Sequence, residues 1–299
     1  MRIGYPCVNL SVGCTSSNTF MLKSYAEDRL MSTVKSNLEC LENILKFNLE
    51  RLILHFRITS DLVPFGGHPL CTADWRSHFQ YELRAIGEFA KSNRMRLSMH
   101  PGQYTLINSP QERIFENALM DLEYHESVLS GMGLDTDAKI QIHVGGVYGD
   151  KPAAISRFVD RFSTMSSHLT RRIVIENDER SYSVEDCLKI SGKTGTPVVV
   201  DSLHHRANSG GLSLKHSMRS ACSTWRREDG IPIVDYSSQQ AGKRLGSHAL
   251  SIDKKDFRSF LNVTKEHDFD LMLEIKDKER SALEALKIAS ADARLVRTP

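Results

Sequence analysis

The chain has 299 residues, 40% of them hydrophobic and 25% charged, with a formal net charge of +2. That balance fits a packed globular protein, and so small a net charge neither demands nor excludes a phosphate-rich partner. No run of about 18 apolar residues occurs, which excludes a membrane-spanning helix, and the opening MRIGYPCVNL shows no basic segment followed by an apolar one, so no secretory leader is expected.

In chain order, short β-rich runs are predicted at 2–8, 51–58, 96–100, 139–144, 172–177, 197–202, 231–236 and 270–275. Between them lie stretches whose apolar residues recur every three or four positions, at 28–48, 75–93, 113–133, 152–169 and 183–195, the last ending in a glycine suited to stop a helix. Eight strands alternating with helices predict an α/β protein, a (β/α)8 TIM barrel, as a single domain over 1–299.

In such a barrel the C-terminal strand ends form the active face. Here they carry an unusual set. The third strand ends at His100, the fourth at His143 and the fifth at Glu176. The sixth ends at Asp201 with His204 just beyond, the seventh at Asp235 and the eighth at Glu274. His68 and His248 lie in the loops after strands two and seven. Any one of these has a plain reading: a lone strand-end histidine is usually a hydrogen-bonded structural residue, and a lone aspartate such as Asp201 caps the next helix. The repetition over six successive strands argues against independent caps. Carboxylates brought this close repel one another without cations, and mixed carboxylate and imidazole donors suit divalent ions such as Zn²⁺ and Mn²⁺. Two or three ions fit the number of candidate ligands. His55, His78, His125, His168, His216 and His267 fall inside strand or helix patterns and read as structural or surface residues.

The segments RIGYPCVN, FRITSDLVP, SMHPGQYTLINSP, IHVGGVYGDK, IENDER, VVVDSLHHRAN, DYSSQ and LMLEIKDKE run from end to end of the chain, and in this order it resembles the ultraviolet damage endonuclease (UvdE) family. The resemblance implies a TIM barrel with two or three divalent metals, most often Mn²⁺, with Zn²⁺, Mg²⁺ and Co²⁺ also suited to the donors. It implies incision of double-stranded DNA immediately 5′ to cyclobutane pyrimidine dimers and 6-4 photoproducts, in some members also at abasic sites, leaving a 3′-hydroxyl and a 5′-phosphate. His100, His143, Glu176, Asp201, His204 and Glu274 match the family's metal ligands, and His68 and His248 match positions lining its metal site. Gln103 and Tyr104 match the pair inserted into the duplex, and Tyr5 and Asn9 match residues lining the pocket for flipped nucleotides. Strand seven departs from the pattern. Where some members carry a lysine and a histidine two apart, this chain has Ile233 and Asp235, so no lysine is there to be modified and Asp235 would bind metal through oxygen.

The residues support the same expectations physically. Pro101 and Gly102 predict a tight turn projecting Gln103 and Tyr104 off the rim, where a tyrosine could stack on unpaired bases. Lys151, Lys243, Arg244, Lys276 and Lys278 fall just beyond strand ends, where they would contact phosphates, with Lys276 placed to neutralise the transition state beside Glu176 and His143. Gly145, Gly146 and Gly149 would let a loop approach a DNA backbone, or serve as a plain connection. Six scattered cysteines without a CxxC pair predict reduced thiols, hence a cytoplasmic protein, expected to act as a monomer. Two other functions share these ligands on paper: a sugar isomerase or epimerase on the same barrel, and a DNA-binding protein with a relic site.

Overall fold

The computed structural model describes residues 1–298. Eight short strands form: β1 (Ile3–Cys7), β2 (His55–Ile58), β3 (Arg96–Met99), β4 (Ile140–His143), β5 (Ile173–Glu176), β6 (Val198–Asp201), β7 (Ile233–Tyr236) and β8 (Asp270–Leu273). They pair in parallel in sequence order, and β8 returns to β1 to close the barrel. All eight expected strands are present, inside a single TIM barrel. Each is shorter than its apolar run. The 51–58 run begins as strand only at His55, because Leu52, just past the Glu27–Glu50 helix, turns through a positive φ of 58°. The helical stretch 152–169 breaks at Met165 into Lys151–Thr164 and Ser167–Thr170.

The two-residue side-chain period sorts each strand into an outer and an inner row. The outer row (Phe56, Leu97, Ile142, Ile175, Val200, Val234 and Leu271 among others) is buried against the helices and makes the main core. The inner row is mostly polar. Val174, Val199 and Ile233 form an apolar plug inside the barrel, with Trp225 against it. Below this plug lie Arg96, Lys139 and Asp270 at the N-terminal strand ends. Above it lie Arg57, Gln141, Asp235 and the C-terminal strand ends. Gly4 is fixed by closeness: a side chain there would run into the His55 carbonyl on the neighbouring strand.

One expectation is corrected. Cys14 and Cys40 are joined by a disulfide, 26 residues apart in sequence, which ties the segment after β1 to the Glu27–Glu50 helix. Scattered spacing does not exclude a pair brought together by the chain's return, so the cysteines give no support for a reducing compartment. Cys7, Cys71, Cys187 and Cys222 are free. No helix among the described residues is long and apolar enough to cross a membrane.

Candidate metal centre and nucleic-acid face

Parallel pairing in register brings the strand ends together. His143 sits opposite Glu176, and Asp201 opposite Asp235. Across the mouth the imidazoles form an arc: His100 to His143 at 5.2 Å between ring centres, His143 to His204 at 6.4 Å, and His204 to His248 at 5.6 Å. Glu176 lies at the base of this arc, almost fully buried, with Oε1 2.9 Å from both His100 Nε2 and His143 Nε2. Gln141 Nε2 donates to its other oxygen.

Protons decide what this arrangement can hold. His100 Nδ1 donates to the Pro101 carbonyl at 2.8 Å, and His248 Nδ1 to the Glu274 carbonyl at 2.6 Å. A neutral ring so fixed offers Nε2 as a lone pair, the arrangement that backbone carbonyls impose on metal-binding histidines. The His100 lone pair then faces a Glu176 oxygen, two acceptors that need a cation between or beside them. His143 Nδ1, His204 Nδ1 and Asp201 Oδ2 are buried without a hydrogen-bond partner, and the last two are 3.3 Å apart. Buried polar atoms without partners are costly unless something else binds them. Oxygen and nitrogen donors left open in this way fit a divalent metal. Ligand atoms of His100, His143 and Glu176 lie within 4.8 Å of one another, as do those of Glu176, Asp201 and Asp235.

The electrostatics agree. Burial works against the charged forms of both His143 and Glu176, but their contact overrides it: His143 is pushed up to about 9, and Glu176 falls well below the usual carboxylate range. Burial raises Asp201 to about 6, although His204 pulls the other way. Glu274 drops to about 2, because the Arg57 guanidinium outweighs the burial that would raise it.

Asp201 meets its plain reading as a helix cap. Its Oδ1 accepts from His204 N at 2.8 Å, capping the short Ser202–Ala207 helix, while Oδ2 is buried without a hydrogen bond, 3.3 Å from His204 Nδ1. Asn177 clips the neighbouring strand end, accepting from Asp201 N at 2.9 Å and donating to Asp201 O at 3.1 Å. Asp235 is wholly buried and occupied. Arg57 Nη2 lies 3.0 and 2.8 Å from its two oxygens, and Gln141 Nε2 donates to Oδ2 at 2.6 Å.

His68 stands apart from the arc. It is exposed in the loop after β2, its Nδ1 accepts from Leu70 N at 3.1 Å, and its ring packs edge-on to Phe65. His55 and His125 are buried, and His78, His168 and His216 are exposed. His125 joins Asp121 to Ser60, whose hydroxyl donates to the His100 carbonyl, so it braces the loop behind His100.

Around the mouth, Gly102, Gln103 and Tyr104 project from the turn after β3, and Tyr104 is 81% exposed. Thr105 anchors this turn through its hydroxyl on Asp121. Lys243 and Arg244 lie exposed in the loop after β7, which is braced by Gln239: its amide donates to the Lys243 and Arg244 carbonyls at 3.3 and 2.9 Å. Arg244 pairs with Glu179 at 2.8 Å. Lys276 is exposed two residues beyond Glu274. Lys151 is turned to Asp186 at 2.9 Å.

Tyr5 and Asn9 do not line an open pocket. Tyr5 belongs to the outer row of β1, so its ring points away from the barrel mouth. It is fully buried, its hydroxyl donating to Asn48 Oδ1 and accepting from Asn9 Nδ2, both at 2.7 Å. Asn9, also buried, accepts from Ser11 N and Val12 N and so folds the loop after β1. The glycine loop after β4 likewise packs inward. Gly145, at a φ of 115°, leaves room for the Asn108 side chain, and the Gly146 carbonyl accepts from Asn108 Nδ2 and Tyr182 Oη.

Two residues that complete the mouth, Arg57 and Gln141, are absent from the ligand set expected from sequence. Their signal is present there: each is a polar residue within its strand, two positions from a histidine and so at the inward parity set by His55 and His143.

The profile of the family described as UV-endonuclease UvdE matches residues 1–296. The UV DNA damage endonuclease of Clostridium perfringens is 40% identical over 288 residues, covering 96% of this chain and 70% of its own length. That of Bacillus cereus strain Q1 is 34% identical, covering 95% and 93%. The crystal structure of SacUVDE superposes with a TM-score of 0.93 at 43% identity, covering 97% of this chain and 98% of that one. Endonuclease IV from Thermus thermophilus (TM-score 0.59, 15% identity) and a D-psicose 3-epimerase from Clostridium cellulolyticum H10 (0.58, 12%) share the fold alone. On the strength of the full-length profile match and these relatives, the chain belongs to the UvdE family of UV endonucleases.

Proposed function

We propose that this chain is a metal-dependent DNA repair endonuclease that cuts double-stranded DNA immediately 5′ to ultraviolet photolesions. Cyclobutane pyrimidine dimers and 6-4 photoproducts are the proposed substrates, with abasic sites as a further class, and the products carry a 3′-hydroxyl and a 5′-phosphate. The observation that carries the reading is the open donor set. His100 and His143 converge on one oxygen of Glu176, while Asp201 Oδ2, His204 Nδ1 and His143 Nδ1 are buried without partners.

His100, His143, Glu176, Asp201, His204, His248 and Glu274 would hold divalent ions, Mn²⁺ foremost, with Zn²⁺, Mg²⁺ or Co²⁺ also matching oxygen and nitrogen donors. When bound, such ions lower the pKa of a water and stabilise the charge that builds on a phosphoryl group. The residues do the rest. Glu176 and His143 fix the floor on which the scissile phosphate rests. Lys276, exposed beyond Glu274, offers its ammonium to that phosphate, and Lys243 and Arg244 take neighbouring phosphates along the strand. Gln103 and Tyr104, standing off the rim on an anchored turn, fill the space left when a lesion leaves the stack. A pyrimidine dimer stacks and pairs poorly, so extruding it costs less than extruding intact bases, and selectivity follows from deformability.

The test is a duplex oligonucleotide with one defined dimer, incubated with Mn²⁺ and mapped at nucleotide resolution. A single cut immediately 5′ to the dimer is expected, abolished by EDTA and restored by Mn²⁺. An intact damaged strand at high enzyme would overturn the proposal.

A further inference from the structure

Four carboxylates meet at the mouth of the barrel, Glu176, Asp201, Asp235 and Glu274, and they are not equivalent. Asp201 keeps one buried oxygen free of hydrogen bonds, 3.3 Å from His204 Nδ1, and Glu176 turns one toward two imidazoles. Asp235 turns none. Arg57 Nη2 lies within hydrogen-bond reach of both its oxygens, at 3.0 and 2.8 Å, and Gln141 Nε2 donates to Oδ2 at 2.6 Å. The same guanidinium engages Glu274 through Nη1 and donates to Gln141 Oε1 at 3.0 Å. Arg57 comes from β2, on the far side of the inner row, and is itself buried.

We propose that Arg57 is the permanent cation of this centre, taking the place of a third metal ion: it saturates Asp235, and the remaining donors hold about two divalent ions. The inference rests on the metal-nuclease reading and revises the expectation that Asp235 is itself a ligand. The oxygens of Asp235 lie near those of Glu176 and Asp201, but an ion bound there would sit beside a guanidinium that cannot lose its proton. Net charge agrees. Four carboxylates, one guanidinium and two divalent ions leave one positive charge, the complement of one phosphodiester, whereas a third ion would leave three.

Arg57 is thereby a positioning residue. It fixes the Gln141 amide by its oxygen, and the amide nitrogen holds Glu176 Oε2 while Oε1 faces His100 and His143. The chain from Arg57 through Gln141 to Glu176 sets the orientation of the central ligand without touching substrate.

The test is metal stoichiometry, read by elemental analysis of Mn²⁺-loaded, dialysed protein and by the paramagnetic resonance signal of free Mn²⁺ during titration, with no DNA present. The expected result is about two ions per chain for the unaltered protein and for Asp235→Asn. Arg57→Met is expected to gain an ion, because it frees Asp235 and one oxygen of Glu274, and Arg57→Lys is expected to return the count to that of the parent; a merely structural arginine would not yield a gain. Three ions in the parent, one of them lost in Asp235→Asn, would overturn this inference and leave the nuclease reading standing. No bound Mn²⁺ at all would overturn both. Should Arg57→Met fail to fold by circular dichroism, the nearly isosteric Asp235→Asn decides alone.

Discussion

At the N-terminal end of the barrel, Asp270 accepts from Arg2 at 2.8 Å and from Arg96 at 3.1 Å, Arg96 also donates to the carbonyls of Ile231, Asp229 and Asp137, and Lys139 pairs with Asp229. At the C-terminal end, some 10–15 Å along the same strands by their rise per residue, Asp201 Oδ2, His143 Nδ1 and His204 Nδ1 have no hydrogen bond, the first and last lying 3.3 Å apart. Both ends bury charge, and the second leaves three donor atoms without a hydrogen bond. The lower end's one unpartnered atom belongs to His55, whose burial lowers it to about 3 and keeps the ring neutral. A closed set of buried charges specifies geometry, while an open set is a standing demand for cations. The same inward parity thus supplies a closed set of ion pairs at one end and a candidate metal centre at the other.

Breaking each end separately sharpens this contrast. Asp270→Ala leaves two guanidinium groups without their carboxylate and is expected to cost about 3–5 kcal/mol of unfolding free energy in urea titrations, with Mn²⁺ content per folded molecule unchanged. Glu176→Gln is expected to do the reverse: a loss of about 10³-fold in incision rate, roughly 4 kcal/mol of barrier, with the unfolding midpoint in EDTA lowered less than Asp270→Ala lowers it. Equal effects of the two variants on both measurements would remove the distinction.

Above the ordinary imidazole value the pH response reads the open end, because His55, held to about 3, is neutral there in the folded and the unfolded chain alike. In EDTA, the proton on His143 favours the folded state, because the folded value of about 9 exceeds the ordinary 6.5; that contribution is complete below 6.5 and is lost as the pH climbs through 9. Asp201, at about 6 against 3.8, acts in the same sense at lower pH, its contribution fading between those values. The metal-free protein should therefore lose several degrees of Tm, roughly, between pH 7 and 9 in thermal melts. Saturating Mn²⁺ should flatten or invert that slope, since ions replace the protons. A metal-free Tm that rises over this range would contradict the open-donor picture. The smallest effect is expected at the rim. Tyr104→Ala should reduce discrimination between damaged and intact duplex by about tenfold, the worth of one stacked base, measured by competition binding with catalysis blocked in EDTA.

Much of this is legible in the sequence, for identifiable reasons. Strand period and strand termination are local, so VVVD or IVIE reveals both the barrel and the acid at its mouth. Partnerships are not local. Arg57 meets Asp235 across 178 positions and Gln141 across 84, and no spacing rule connects such residues. The Cys14–Cys40 bond is hidden for the same reason: the interval between two cysteines says nothing of where the chain returns. Family likeness places Tyr5 at the mouth, whereas strand parity places it outside, since its neighbours Gly4 and Pro6 take the inward positions of β1. The tautomers of His100 and His248, which make them donors of a lone pair, depend on carbonyls whose direction only the folded backbone sets.

Asn177 does with a side chain what a strand does with its backbone, giving and taking one hydrogen bond with Asp201 just past the last rung of the sheet. The spacing between Glu176 and Asp201 is consequently a property of the wall and owes nothing to the surrounding loops. Those loops can lengthen, shorten or change composition while the two acids keep their distance, so that change at the rim is uncoupled from change at the acids.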